Sequence, residues 1–293
     1  MLADISPFAY ALFAALAFAF GDQFQAQGVR HYDARAGAVL GIGAGTLCFW
    51  LLAPWLLHLE RLWHPAVLLF AATGLIRPAL SAQLAIAGIR YLGPTLAGTL
   101  SSVSPLFGAA FGILFLGEVL SWPVALGTAG IIVAVALLAQ GSGRGTGIQR
   151  SWPVWALALP IGTAMIRSMG HAVTKVGMIH VPDPYIATLA AFTVSTAVSL
   201  VMQSTRKTNR LAFRGVGPTW FLTSGAMYAL GAVSLNMALL NGEIVTVIPI
   251  VASVPVFTMA LSVTVFKRER ITLRTLWALA LVLPSVIAVV VWG

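Results

Sequence analysis

Between Pro7 and Trp292 the sequence passes through ten long apolar stretches separated by short polar connections: residues 7–26, 35–57, 66–89, 93–116, 121–140, 152–177, 183–203, 218–240, 244–266 and 272–292. An α-helix of about 20 apolar residues crosses a bilayer core. In lipid the backbone must satisfy its own hydrogen bonds, which a helix does within one segment. Each stretch therefore predicts a membrane-spanning helix. A β-barrel is excluded, because the runs are too long and lack alternating polarity. Of the 293 residues, 59% are hydrophobic and only 9% charged, leaving no room for a sizeable soluble domain. The expected fold class is an all-α integral membrane protein with ten transmembrane helices.

The net charge of +9 does not mark a nucleic-acid-binding face, because the basic residues sit in the connections. Connections after the odd-numbered spans carry Arg30, Arg35, Arg90, Arg144, Arg150, Arg206, Lys207, Arg210, Arg214, Lys267, Arg268, Arg270 and Arg274. The opposite side has Arg61, with Lys175 near a helix end. The excess of Lys and Arg on the cytoplasmic side of membrane proteins orients the chain with both termini outside. The expected location is a bacterial inner membrane. The N-terminal stretch lacks a basic region and carries Asp4, so it reads as a retained first helix rather than a cleaved leader. Cys48 is the sole cysteine, so no internal disulfide forms.

The linker "GSGRGTGIQRS" (141–151) divides the chain into two blocks of five spans, 1–140 and 152–293. An offset of 150 pairs Pro105 with Pro255, and "DARAGAVL" from Asp33 with "DPYIATLA" from Asp183. An offset of 149 pairs Gly21 and Gly28 with Gly170 and Gly177, and one of 151 pairs "EVLS" (118–121) with "ERIT" (269–272). The order of these anchors points to an internal duplication. With an odd number of spans per block, the second copy enters the membrane from the other side. The expectation is two inverted-topology repeats, with a substrate site near the midplane.

Pro105 and Pro255 each leave a backbone carbonyl free. Hydroxyls stand just upstream, at Ser101, Ser102 and Ser104 in one block and Ser253 in the other. Two readings stay open: a kinked cavity wall, or a packing kink capped by serine. Pro78 loosens the third span in the same way. Glu118 and Glu269 lie past helix ends where the dipole disfavours an anion, so they read as loop anchors held by arginine or backbone donors.

The stretches 85–137, "AIAGIRYLGPTLAGTLSSVSPLFGAAFGILFLGEVLSWPVALGTAGIIVAVAL", and 236–272, "NMALLNGEIVTVIPIVASVPVFTMALSVTVFKRERIT", resemble the repeat of the drug/metabolite transporter superfamily, the EamA-type exporters. Within it the chain most resembles the YddG-type exporters of aromatic and other neutral amino acids. The resemblance implies a central cavity lined by spans 1, 3, 4, 6, 8 and 9 and open alternately to each side. One departure is "AFG" at 19–21, where many members carry a Trp before the Gly.

Polar groups within spans are costly in a bilayer and face the protein interior. Thr163, Arg167, His171 and Thr174 form one stripe of span 6, and Arg77 and Ser81 share a face of span 3, with Pro78 and Gly74 loosening the helix beside them. Asp22 and Gln25 share a face of span 1. Guanidinium groups bind carboxylates in bidentate fashion. Arg77 or Arg167 is therefore expected to hold a substrate carboxylate, and either could instead be structural. Tyr228, Phe107, Phe111 and Phe257 would offer apolar surface, with Ser81, Ser101, Thr163, His171, Asn236 and Ser253 as polar neighbours. Asp22 and His171 are candidates for proton coupling. Nothing calls for a cofactor or metal, since HExxH, CxxC and paired-carboxylate motifs are missing. The expected partners are a small-molecule substrate and membrane lipid; the oligomeric state stays open, with a monomer plausible. The expected function is outward transport of small amphipathic metabolites by alternating access. Export of other metabolites or drugs driven by protons, a channel and an intramembrane enzyme are the alternatives.

Overall fold

The computed structural model describes residues 6–81, 84, 85, 87, 88, 91, 92, 97, 100–141, 153–205, 215–267 and 273–292. Every regular element among them is helical. They form two compact units, Met1–Ala79 with Val173–Asn241 and Leu80–Ala172 with Gly242–Gly293, each drawing on both halves of the sequence. The linker residues 142–151, the basic loop 206–214, Gln83, Arg90, Arg268, Glu269 and Arg270 lie outside the described residues.

The first unit contains α1 (Pro7–Gly28), α2 (Ala34–Leu56), the short α3 (Leu59–Leu62), α4 (Val67–Leu75), the end of α7 (Ala158–His180), α8 (Pro184–Ser204) and α9 (Val216–Asn241). Helix starts follow from capping chemistry. Ser6 accepts from the Ala9 N–H, with Pro7 at the first helical position where its missing donor costs nothing. Asp33 accepts from Arg35 and Ala36 at the start of α2, and Asp183 from Tyr185 and Ile186 at the start of α8. The paired "DARA" and "DPYI" stretches thus begin helices in the same way. Helix α9 packs along α1 and α2, and α8 packs on α2 and α4. Where α2 crosses α9, a Cβ on Gly225 would lie 2.0 Å from the Gly41 carbonyl oxygen, so the backbones meet directly. The Thr46 hydroxyl lies 2.7 Å from that of Thr196 across the α2–α8 seam.

The second unit contains α5 (Ser104–Leu116), α6 (Trp122–Gly141), a 3₁₀ turn (Val154–Leu157), the first part of α7, α10 (Ile244–Ala252), α11 (Val254–Thr264) and α12 (Leu273–Trp292). Helix α6 packs on α12, and α10 packs on α5, α6 and α12. Glu118 is 8% exposed, and its carboxylate accepts from the Ile244 N–H at 2.8 Å and the Val245 N–H at 3.0 Å. The expected loop anchor is thus held by backbone donors. Its helix lies 126 residues away in sequence, where the positive dipole end favours an anion.

Among the described residues, five helical stretches are long and apolar enough to cross a bilayer: Pro7–Gly28, Ala34–Leu56, Pro184–Ser204, Val216–Asn241 and Ile244–Thr264. Shorter apolar helices occupy Ser104–Leu116, Trp122–Leu138 and Leu276–Trp292. The expected sixth span begins with the 3₁₀ turn and runs on to His180 rather than ending at 177.

The expected continuous third span is interrupted. After α4 the chain passes through a wide turn at Ile76–Leu80, in which Arg77 adopts φ −133° and ψ 133°. Arg77 precedes Pro78, whose ring disfavours the helical conformation for its predecessor. A shared face for Arg77 and Ser81 requires an unbroken helix, so that expectation does not hold.

The spans carrying Pro105 and Pro255 break as well. Val103 (φ −76°, ψ 0°) and Ser253 (φ −74°, ψ 0°) have nearly identical conformations, each two residues before its proline. Both prolines fall in the first turn of the following helix, where no N–H is required.

Candidate functional site

In the first unit, polar side chains from α1 and α9 converge. The Tyr228 hydroxyl donates to Asp22 Oδ1 and lies 3.1 Å from Gln25 Oε1. All three residues are half-buried. Asp22 and Gln25 reach the phenol together because they stand three residues apart on α1. The Tyr228 ring packs 6.0 Å from Phe18, and a Cβ on Gly21 would come within 3.3 Å of the ring. Beside this cluster the Ser224 hydroxyl donates to the Gly21 carbonyl at 2.8 Å. Gln25 had a readable signal in its spacing from Asp22, whereas Ser224 had none.

Asn236 does not join that cluster. Its amide donates to the Thr188 hydroxyl at 2.8 Å, tying α9 to α8. At one end of the unit, Asp183 Oδ2 is held by Arg61 at 3.2 Å and by His58 at 3.5 Å. His64 and His180 stack nearby with ring centroids 6.3 Å apart. Among the described residues no group of three or more His, Cys, Asp or Glu could hold a metal ion.

In the second unit the candidates lie on α7, α5 and α11. Thr163, Arg167 and His171 stand on one face of an unbroken helix, as their spacing requires, and Thr174 continues it. Thr163 is 2% exposed, and its hydroxyl donates to the Leu159 carbonyl at 2.9 Å. His171 is half-buried and partnered. Arg167 is exposed and makes no hydrogen bond or ion pair among the described residues. Its neighbour Ser168, which the sequence did not single out, donates to the Ser104 carbonyl at 2.8 Å and fixes α7 against the start of α5.

Ser253 is fully buried at the α10–α11 break, where its hydroxyl donates to the Ile250 carbonyl at 2.5 Å. That bond fits the serine-capped kink. Phe107, Phe111 and Phe257 are half-buried, and Phe111 stacks on Phe115 at 5.7 Å. Ser101 is half-buried, Ser81 is buried and partnered, and Pro105 is buried while Pro255 is exposed. Arg77 is half-buried and partnered, and Pro78 lies within the wide turn beside it.

Residues 5–140 match the profile of the EamA-like transporter family. That match, over a little less than half of the chain, points to a multi-pass membrane protein of a transporter class that handles small metabolites. No curated protein matches the sequence. A solved crystal structure resembles the chain with a TM-score of 0.81 over 96% of this chain and 95% of its own, at 14% identity. At that identity the likeness shows a shared fold alone.

Proposed function

We propose that the chain is a secondary transporter of the bacterial cytoplasmic membrane that exports aromatic and other neutral amino acids by alternating access. Both termini lie outside, and residues 1–140 and 152–293 form two inverted repeats of five helices. The observation that carries the transport reading is the interruption of apolar spans at Arg77, at Val103 and at Ser253. Broken helices within a membrane are tolerated where protein or a wet path satisfies the freed backbone. Transporters place their binding sites at such breaks.

Equivalent features one offset apart support the repeat. Asp33 and Asp183 cap their helices alike, and Val103 and Ser253 share a kink. Gly117 and Lys267 both take a positive φ, at 65° and 50°. Thr46 and Thr196 are also 150 residues apart, and they touch. A local twofold axis between two repeats would bring equivalent positions together in this way.

Proton coupling is the second reading. It is favoured by the Asp22 carboxylate bonded to the Tyr228 phenol within the spans.

The test is uptake of labelled phenylalanine, threonine and methionine into liposomes bearing the purified protein, with and without a proton gradient. Saturable uptake without a gradient is expected. Uptake only with the gradient would move the reading to proton coupling. No uptake of any of the three by folded protein would refute the amino-acid reading.

A further inference from the structure

Of the two arginines in mid-span, we infer that Arg167 binds the anionic end of the transported molecule, a carboxylate, while Arg77 belongs to the scaffold. This inference rests on the transport reading above. Arg167 stands nine residues from the start of α7 and thirteen from its end. Those separations are about 14 Å and 20 Å of helical rise, well inside a bilayer core. A guanidinium facing lipid at that depth would cost several kcal/mol, so an exposed, unpartnered one must meet water or a ligand.

The face it occupies agrees. The exposed apolar residues Ile161 and Met165, at 37% and 44%, mark another side of α7. They lie about 120° and 160° around the helix from Arg167. Buried Thr163 and Gly170 lie within about 60° of it. Arg167 is therefore open to solvent on the side of α7 that otherwise faces protein. The bond from Ser168 to Ser104 keeps that face in place beside the broken fourth span.

Arg77 is half-buried and partnered, and its extended backbone is set by Pro78. A guanidinium already engaged gains less from a substrate carboxylate than one with its donors free. An unengaged fork matches a carboxylate with two parallel N–H···O bonds, which an ammonium cannot reproduce.

The experiment uses the full-length protein in liposomes and labelled phenylalanine. Unlabelled phenylalanine and phenylalaninamide, which lacks the carboxylate, serve as competitors. Wild-type protein should be inhibited far better by the acid than by the amide. Arg167→Gln should raise the half-saturating concentration of phenylalanine about 10- to 100-fold, the effect of losing one charge-assisted pair. It should also erase the preference for the acid. Arg167→Lys keeps the charge but loses the fork, and should show a reduced preference. It decides the matter if the Gln variant does not elute as a single folded species. Arg77→Gln should keep the preference whatever its uptake rate.

Full preference in folded Arg167→Gln, or in Arg167→Lys where the Gln variant does not fold, would overturn the inference, as would its loss in Arg77→Gln alone. Failure of the folded wild type to take up phenylalanine would instead overturn the reading of the chain as a transporter of aromatic amino acids.

Discussion

Replacing Glu118 with alanine should strongly destabilise the second unit. The carboxylate is 8% exposed and holds the N–H groups of Ile244 and Val245 at 2.8 Å and 3.0 Å. Hydrogen bonds to a charged group contribute about 1.5–3 kcal/mol each. Water has little access to replace them, and relief of the carboxylate's own desolvation offsets part of the loss. The expected cost of Glu118→Ala is about 3–5 kcal/mol. Glu118→Gln keeps one acceptor oxygen and should cost about 1–2 kcal/mol. Thermal unfolding of the purified protein in detergent reads both, with the alanine variant lower in Tm.

Gly112 makes the reasoning sharper. A Cβ there would stand 2.5 Å from Glu118 Oε2, closer than real contacts allow. Gly112→Ala should therefore destabilise by pushing the carboxylate off its two donors. In the Glu118→Ala background nothing remains to be pushed. The double variant should cost clearly less than the sum of the singles, as coupled neighbours do. Strict additivity, or a Glu118→Ala protein that melts with the wild type, would refute the assignment.

Three further outcomes are expected. Asp183→Ala should lower Tm more than Asp33→Ala, because both cap a helix but only Asp183 is buried and also holds Arg61 and His58. The cap alone contributes about 1 kcal/mol in each case. Gly225→Ala should abolish folded protein in a detergent-solubilised expression screen, since its Cβ would lie 2.0 Å from the Gly41 carbonyl oxygen. Tyr228→Phe removes the hydroxyl that joins α9 to Asp22. It should cost about 1–2 kcal/mol in Tm measurements and slow uptake in liposomes.

Local signals carried over well from sequence to structure. Asp33 and Asp183 each stand ahead of an apolar run, where a short acidic side chain starts a helix, and each does so. Pro105 and Pro255 were legible as kinks for a similarly local reason. The break at Arg77 was legible in principle, since the proline after it disfavours a helical arginine, but the apolar run around it reads as one span. Partners distant in sequence were beyond reach. Glu118 meets Ile244 across 126 residues and Tyr228 meets Asp22 across 206, and neither pairing leaves a trace in spacing or composition. Ser168 was missed because a lone serine in a span has many uses, and only its bond to the Ser104 carbonyl selects one.

The proposed inversion gives a further way to separate scaffold from site. Positions that hold the fold keep their character in both copies: Asp33 with Asp183, Val103 with Ser253 in backbone conformation, Thr46 with Thr196. The offset of 149 that pairs Gly21 with Gly170 also pairs Asp22 with His171 and Phe18 with Arg167. Here the copies diverge in chemistry. Phe18 packs on Tyr228, whereas Arg167 is exposed and unpartnered among the described residues. Twofold packing alone gives no reason for an aromatic ring in one copy and a free guanidinium in the other. A transported molecule with one charged end and one apolar end does, because it is itself asymmetric and needs unlike groups at positions the fold would otherwise make equivalent.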